Sequence, residues 1–162
     1  MTGPTHAELA GVVRLVIEHQ SVLVNVGYGR EARSVACANA FIDVWQAGGG
    51  EIGAIVSWPV AAASWLRPAC RFAAGAPDAW VVADCAAGWA GFGPRLAAAG
   101  AWRARRTVAF SDLADPVLPE LAGVEATDGI RGAAVDGSLW AFIQGSLVAP
   151  VHSNAPWVSR SD

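Results

Sequence analysis

Five apolar, β-rich runs, each set off from the next by a helical or turn-forming stretch, narrow the folds open to this chain more than any other feature. The first run, residues 21–26, is apolar along its length rather than alternating, the pattern of a strand buried on both faces. Further strands are predicted over 51–58, 79–83, 105–110 and 130–135. Between them the period changes. Residues 6–19 carry Leu9, Val12, Val13, Val16 and Ile17 at helical spacing, and 30–47 carry Val35, Ala38, Phe41, Ile42 and Trp45. Gly48-Gly49-Gly50 ends that second helix, since glycine tolerates a left-handed cap. Shorter helices are predicted over 68–75, with Pro68 at its first position where the missing N–H costs nothing, over 89–99, and over 116–121.

Strands alternating with helices at this spacing form βαβ units, hence a parallel sheet with right-handed crossovers. The expected architecture is α/β, a flavodoxin-like three-layer sandwich with a five-stranded, mainly parallel sheet, as one domain over residues 1–150. The segment SLWAFIQGSLV after Gly137 suits a strand or a helix equally, and residues 151–162 read as a flexible tail.

Composition limits the function classes. A chain of 162 residues with 54% hydrophobic and 15% charged residues buries a substantial core and is not disordered. A net charge of -3, with arginine as its only strongly basic residue type, argues against nucleic acid or an anionic membrane as partner. Cys37, Cys70 and Cys85 are odd in number and lack metal-ligand spacing, which suggests a reducing compartment without a disulfide framework. The start MTGPTHAELAG has neither the charged nor the apolar region of a signal peptide, and no apolar run is long enough to span a membrane. A cytoplasmic location without membrane insertion is therefore expected, and no cofactor is implied.

In open parallel sheets, ligands bind beyond the carboxyl ends of the strands. That rule selects Tyr28 and Gly29, Ser57 and Trp58, Asp84 and Cys85, Ser111 and Asp112, and Asp136. Gly27, Gly29 and Ala32 also fit the GxGxxA pattern of a dinucleotide turn between a strand and a helix. That pattern requires an acid at the end of the second strand for the ribose hydroxyls. The strand instead ends in Ser57-Trp58, and Tyr28 puts a bulky ring in the turn, so the dinucleotide reading fails.

The order of short motifs resembles the second lobe of type I periplasmic binding proteins, the branched-chain amino-acid receptor group. The matching pieces are Tyr28-Gly29-Arg30 after the first strand, Ala47-Gly48-Gly49 closing the helix, and Ser57-Trp58-Pro59 after the second strand. Arg67-Pro68, Pro77-Asp78-Ala79, Ala99-Gly100, Asp115-Pro116, Leu121-Ala122-Gly123 and Asp128-Gly129 follow in the family's order, over about residues 6–135. The resemblance implies a ligand cleft built from the tyrosine of the turn, the residues after the third strand and an acid after the fourth. Here these are Tyr28, Asp84-Cys85 and Ser111-Asp112, the acid pairing with the ammonium of an amino-acid ligand. Cys85 replaces an aromatic, and Asp112 is shorter than the glutamate it matches. A complete receptor closes two lobes on its ligand, and this chain has room for one.

The expectation is a non-catalytic small-molecule-binding or sensing module with a site at Tyr28, Ser57, Trp58, Asp84, Cys85, Trp89, Ser111 and Asp112. A homodimer, or a partner supplying the missing lobe, would complete the cleft. An alternative is an enzyme using Cys85 or the Asp84/Asp112 pair, although no triad or metal set is visible. A third reading is a structural interaction domain. The eight tryptophans exceed the needs of a core this size. Trp45 and Trp80 fit core positions, whereas Trp58, Trp65 and Trp89 fall near the carboxyl edge, where an interface is preferred over a pocket. Arg103, Arg105 and Arg106 read as a solvated edge at the far end of the sheet, Glu31 and Asp43 as solvent-facing, and Cys37 and Cys70 as small buried hydrophobes.

Overall fold

The computed structural model describes residues 3–151. Seven strands form one sheet in the order β2-β1-β3-β4-β5-β6-β7. The parallel part comprises β1 (Leu23–Gly29), β2 (Glu51–Trp58), β3 (Ala79–Ala83), β4 (Thr107–Ala109) and β5 (Arg131–Ala133). The five parallel strands match the expectation. The sheet total does not, because β6 (Leu139–Ile143) and β7 (Ser146–Val151) add an antiparallel hairpin. The segment left open after Gly137 is therefore strand. Val151, counted with the tail, pairs with Leu139 as the last residue of β7. The rest of that tail, with His152 and Trp157, lies outside the described residues.

Helices α1 (His6–Glu18) and α2 (Ala32–Ala47) cover one face. Val12, Leu15, Val16, Cys37, Ala38, Phe41 and Trp45 pack there on Val24, Val26, Val81 and Val108. Helices α3 (Leu66–Ala73), α4 (Ala86–Ala98) and α5 (Leu118–Ala122) cover the other. Their core joins Trp58, Phe72, Trp80, Trp89, Phe92 and Trp102 with Leu113, Leu118 and Ile130. The buried stripe of α1 is rotated from the expected one, with Glu8, Gly11, Val12, Leu15 and Val16 inward and Ile17 exposed. An ion pair to Glu8, described below, draws that face inward. Cys37 is buried, but Cys70 is exposed, because α3 turns Ala69, Phe72 and Ala73 to the core and leaves Cys70 on its outer side.

Asn25 shows how a buried polar group shapes the sheet. β1 and β2 fall out of step between Val24 and Val26. The Asn25 side chain fills the irregularity, accepting from the Ala54 N–H at 2.9 Å and donating to the Phe72 and Ala74 carbonyls, each at 2.9 Å. The Asn25 side chain itself is buried, so these bonds offset its desolvation cost. Asp78 performs the same task at the start of β1, where one carboxylate oxygen accepts from the Val22 and Leu23 N–H groups.

Candidate functional site

The strand order turns back at β1, which lies between β2 and β3 with crossovers on opposite faces. In such a sheet the loops above β1 and β3 diverge and leave a crevice at the carboxyl edge. Register brings Tyr28 level with Ser57 on one side and Ala83 on the other, so Asp84 and Cys85 follow directly above β3. Tyr28 shares its face of β1 with Val24 and Val26 and leans on the α1/α2 core, partly exposed. Ser57, Cys85 and Ser111 are also partly exposed, and Asp112 is exposed.

Trp58 and Trp89 are not on that surface. Both are 0% exposed and belong to the aromatic core, which corrects the expectation that they line a pocket or an interface. Strand alternation puts Trp58 on the same face as Val56, under α3 and α4. Its ring stacks on Phe92 with centroids 3.8 Å apart, and the Trp89 indole N–H donates to the Ala126 carbonyl at 2.8 Å. Trp65 is partly buried and donates to the Pro59 carbonyl. Trp45, Trp80, Trp102 and Trp140 are buried as well, so the surplus of tryptophan fills the core.

The glycines of the GxGxxA turn have the same explanation. A Cβ at Gly27 would lie 2.5 Å from the Trp58 ring and 2.8 Å from Phe72. A Cβ at Gly29, or at Gly88 in α4, would strike the carboxylate of Asp84. Space that a dinucleotide turn would give to a pyrophosphate is thus taken by an indole ring and a carboxylate. Asp84 itself is 2% exposed. It accepts from the Trp58 indole N–H at 2.7 Å and from the Cys85 N–H at 2.8 Å. Burial pushes its carboxyl up to about 6, and the two hydrogen bonds only partly oppose that.

Cys85 sits at the N-cap of α4. Burial pushes its thiol above the ordinary value, outweighing the nearby Gly88 and Ala87 amides, and the Asp84 charge adds to the rise. A thiol so placed is a poor nucleophile. Nor are Asp84 and Asp112 a matched pair, since Asp84 is in the core and Asp112 belongs to another network.

Sequence reasoning missed the centre of that network, Arg33 of α2. Its guanidinium donates to both oxygens of Glu8, at 2.7 and 3.0 Å, to Asp112 at 2.9 Å, to Ser111 Oγ at 3.1 Å and to the Gly3 carbonyl at 2.8 Å. Glu8, 0% exposed, also accepts from the Ser111 N–H. The group ties α1, α2 and the turn after β4 together, and it occupies the acid expected to meet a ligand ammonium. The remaining candidate, Asp136, is exposed and accepts from the Ser138 N–H and hydroxyl, which shapes the turn into β6.

Among the described residues no group of three or more His, Cys, Asp or Glu is placed to hold a metal ion, and no helix is long and apolar enough to cross a membrane. No family model matches the chain, and no curated protein matches it either. Solved structures do. A substrate-binding periplasmic protein from Ralstonia solanacearum superposes with a TM-score of 0.69 at 19% identity, over 82% of this chain and 37% of its own length. A candidate branched-chain amino acid ABC transporter from Rhodospirillum rubrum matches with a TM-score of 0.66 at 22% identity, over 78% of this chain and 36% of its own. A solute binding protein of an ABC transporter from Rhodopseudomonas palustris HaA2, in complex with p-hydroxybenzoic acid, matches with a TM-score of 0.61 at 18% identity, over 77% and 34%. The chain thus spans little more than a third of the length of these neighbours. Its fold is that of the type I periplasmic binding proteins, over about one lobe.

Proposed function

We propose that this chain is a non-catalytic module that binds or senses a small molecule as one half of a two-lobed trap. A second copy of the chain, or a lobe from another polypeptide, closes over the carboxyl edge. The observation that carries this reading is the parallel register that gathers Tyr28, Ser57 and Cys85, all partly exposed, at the carboxyl edge of β1, β2 and β3, with Ser111 after β4. One lobe alone buries far less of a ligand than the 70–90% typical of small-molecule sites.

The hydrogen-bond donors at this edge favour a ligand bearing a carboxylate over one recognised through its ammonium, and Glu31, exposed at the N-cap of α2, is the acid that opposes it. Asp112 is engaged by Arg33, and Asp84 is turned into the core. The first turns of α2 and α4 present backbone N–H groups there, and neither helix has a side-chain cap. The raised thiol pKa of Cys85 and the separation of Asp84 from Asp112 count against the enzymatic alternative, and the burial of the tryptophans removes the basis for a tryptophan-rich interface.

Native mass spectrometry of the purified protein, under gentle and then denaturing conditions, tests this reading. A dimer that releases a small molecule on denaturation is the expected result. The Tyr28→Ala protein should then arrive without the molecule. A bare monomer that neither Tyr28→Ala nor added carboxylic acids alter would refute the proposal.

A further inference from the structure

The opposite, amino edge of the sheet carries a feature that a ligand cleft at the carboxyl edge leaves unexplained. A cavity of about 500 Å3 opens there, lined by His19, Arg105, Arg106, Asp128, Arg131 and Phe142 among others. Its charged walls come from four separate stretches of sequence: the link after α1, the turn into β4, the start of β5 and the end of β6. Three of the eleven arginines of a chain with net charge -3 meet at this one cavity.

Arg131 is the unusual member. Its side chain is only 6% exposed, and Glu18 lies 4.0 Å away. Its guanidinium is hydrogen-bonded to the His19 ring. Burial and the charges of Arg131 and Arg106 hold His19 down at about 4, so it stays neutral at physiological pH and accepts that bond. The effect of both arginines on one imidazole means that their positive charges converge there. Arg106 spends one of its five N–H donors on the Asp78 carbonyl at 3.1 Å. Asp128, the one acid among the described lining residues, accepts from the Gly145 N–H at 2.8 Å and so holds the β6–β7 turn. Ile143, exposed at the end of β6, supplies apolar surface beside the arginines, with the buried Ala141 and Phe142 behind it.

We propose that this cavity is a second binding site, for a small molecule with an oxyanion, carboxylate or phosphate, on an apolar body. The guanidinium fork matches both oxyanions in a bidentate way. Arg105 and Arg106 form the accessible rim, Arg131 the inner contact, and Ile143 the exposed apolar surface beside them. The site shares no lining residue with the carboxyl-edge crevice, so either can exist without the other.

Amide chemical-shift titrations with benzoate and, separately, inorganic phosphate test the proposal. The expected result is saturable shifts centred on Gly129, Arg131 and Gln144. Benzoate binding much more tightly than phosphate identifies a carboxylate with an apolar body, and the reverse identifies a phosphate ligand. The Arg105→Gln/Arg106→Gln protein alters only exposed side chains and should bind at least about tenfold more weakly, roughly the loss of one charge-assisted contact. Arg95→Gln, which removes a surface charge on α4, should leave binding unchanged. Shifts that do not saturate, or equal weakening by Arg95→Gln and by the rim pair, would show diffuse charge attraction only and overturn the site.

Discussion

Asp84 and His19 contribute to the pH dependence of stability with opposite signs, and replacing Asp84 should reverse that dependence. Asp84 is held at about 6 in the fold against 3.8 for an ordinary aspartate, so the native state binds its proton more tightly than the unfolded chain. Stability from this group is fully present below pH 3.8 and is lost as pH rises through 6, by about 3 kcal/mol at most. His19 is held at about 4 against 6.5, so the unfolded chain binds its proton more tightly. Its contribution is present above pH 6.5 and is lost as pH falls through 4, again about 3 kcal/mol before screening and roughly 2 after it, since the ring is partly exposed. The windows overlap almost completely. The wild-type protein should therefore lose only about 1 kcal/mol between pH 4 and pH 6.5. Asp84→Asn removes one arm and leaves a curve that rises by roughly 2 kcal/mol over the same range. The variant also loses one hydrogen bond, because Trp58 Nε1 and the Cys85 N–H are both donors and an amide offers a single oxygen. It should be clearly weaker than wild type at pH 4 and close to it at pH 7. His19→Gln exposes the opposite arm, a fall of about 3 kcal/mol as pH rises. Urea midpoints measured at steps across this range decide the matter, and an Asp84→Asn curve parallel to wild type would refute the assignment.

Asn25→Ala strands the Ala54 N–H and removes a donor from the Phe72 and Ala74 carbonyls; a loss of about 2–4 kcal/mol is expected from urea unfolding. Arg33→Gln leaves the Glu8 carboxylate buried without its cation and should cost about 3–5 kcal/mol, and much of that should return in the Glu8→Gln/Arg33→Gln protein. A disulfide-exchange reagent at neutral pH should label exposed Cys70 first and Cys85 slowly, with Cys37, whose thiol burial pushes up to about 11, reacting only on unfolding. Rapid labelling of Cys85 in the native protein would revive the enzymatic reading.

The parallel strands were legible because a strand buried on both faces has to be apolar throughout, and β3, Ala79–Ala83, is buried at every position. The hairpin was not, and its turn shows why. Gln144 and Gly145 both have positive φ, at 50° and 78°, in a two-residue connection between β6 and β7. Asn-Gly or Asp-Gly would have announced that turn; glutamine is seldom found there. With the turn concealed, LWAFI reads equally as strand or helix. The tryptophans misled for a different reason. Proximity to a strand end suggests exposure, but the side-chain period puts Trp58 on the face of Val56, and Gly27, opposite Val56 on β1, provides the space.

The candidate residues at the carboxyl edge were legible as positions and not as states. Strand ends identify Tyr28, Ser57, Asp84 and Cys85 whatever their side chains do, since parallel register alone brings them together. Whether an acid there belongs to the cleft or to the core depends on two glycines, one on the neighbouring strand and one a turn along the helix that follows. Gly29 and Gly88 leave room for the Asp84 carboxylate to fold inward to Trp58, and a methyl group at either position would occupy that space. Arg33 has the corresponding effect on Asp112, reached through a helix that carries no motif. Both acids that the sequence offers to a ligand cation are thus already engaged, one by an indole and the other by a guanidinium. What the edge keeps for a ligand is hydroxyls, a thiol and the amides of two helix starts, with the exposed Glu31 carboxylate beside them at the N-cap of α2.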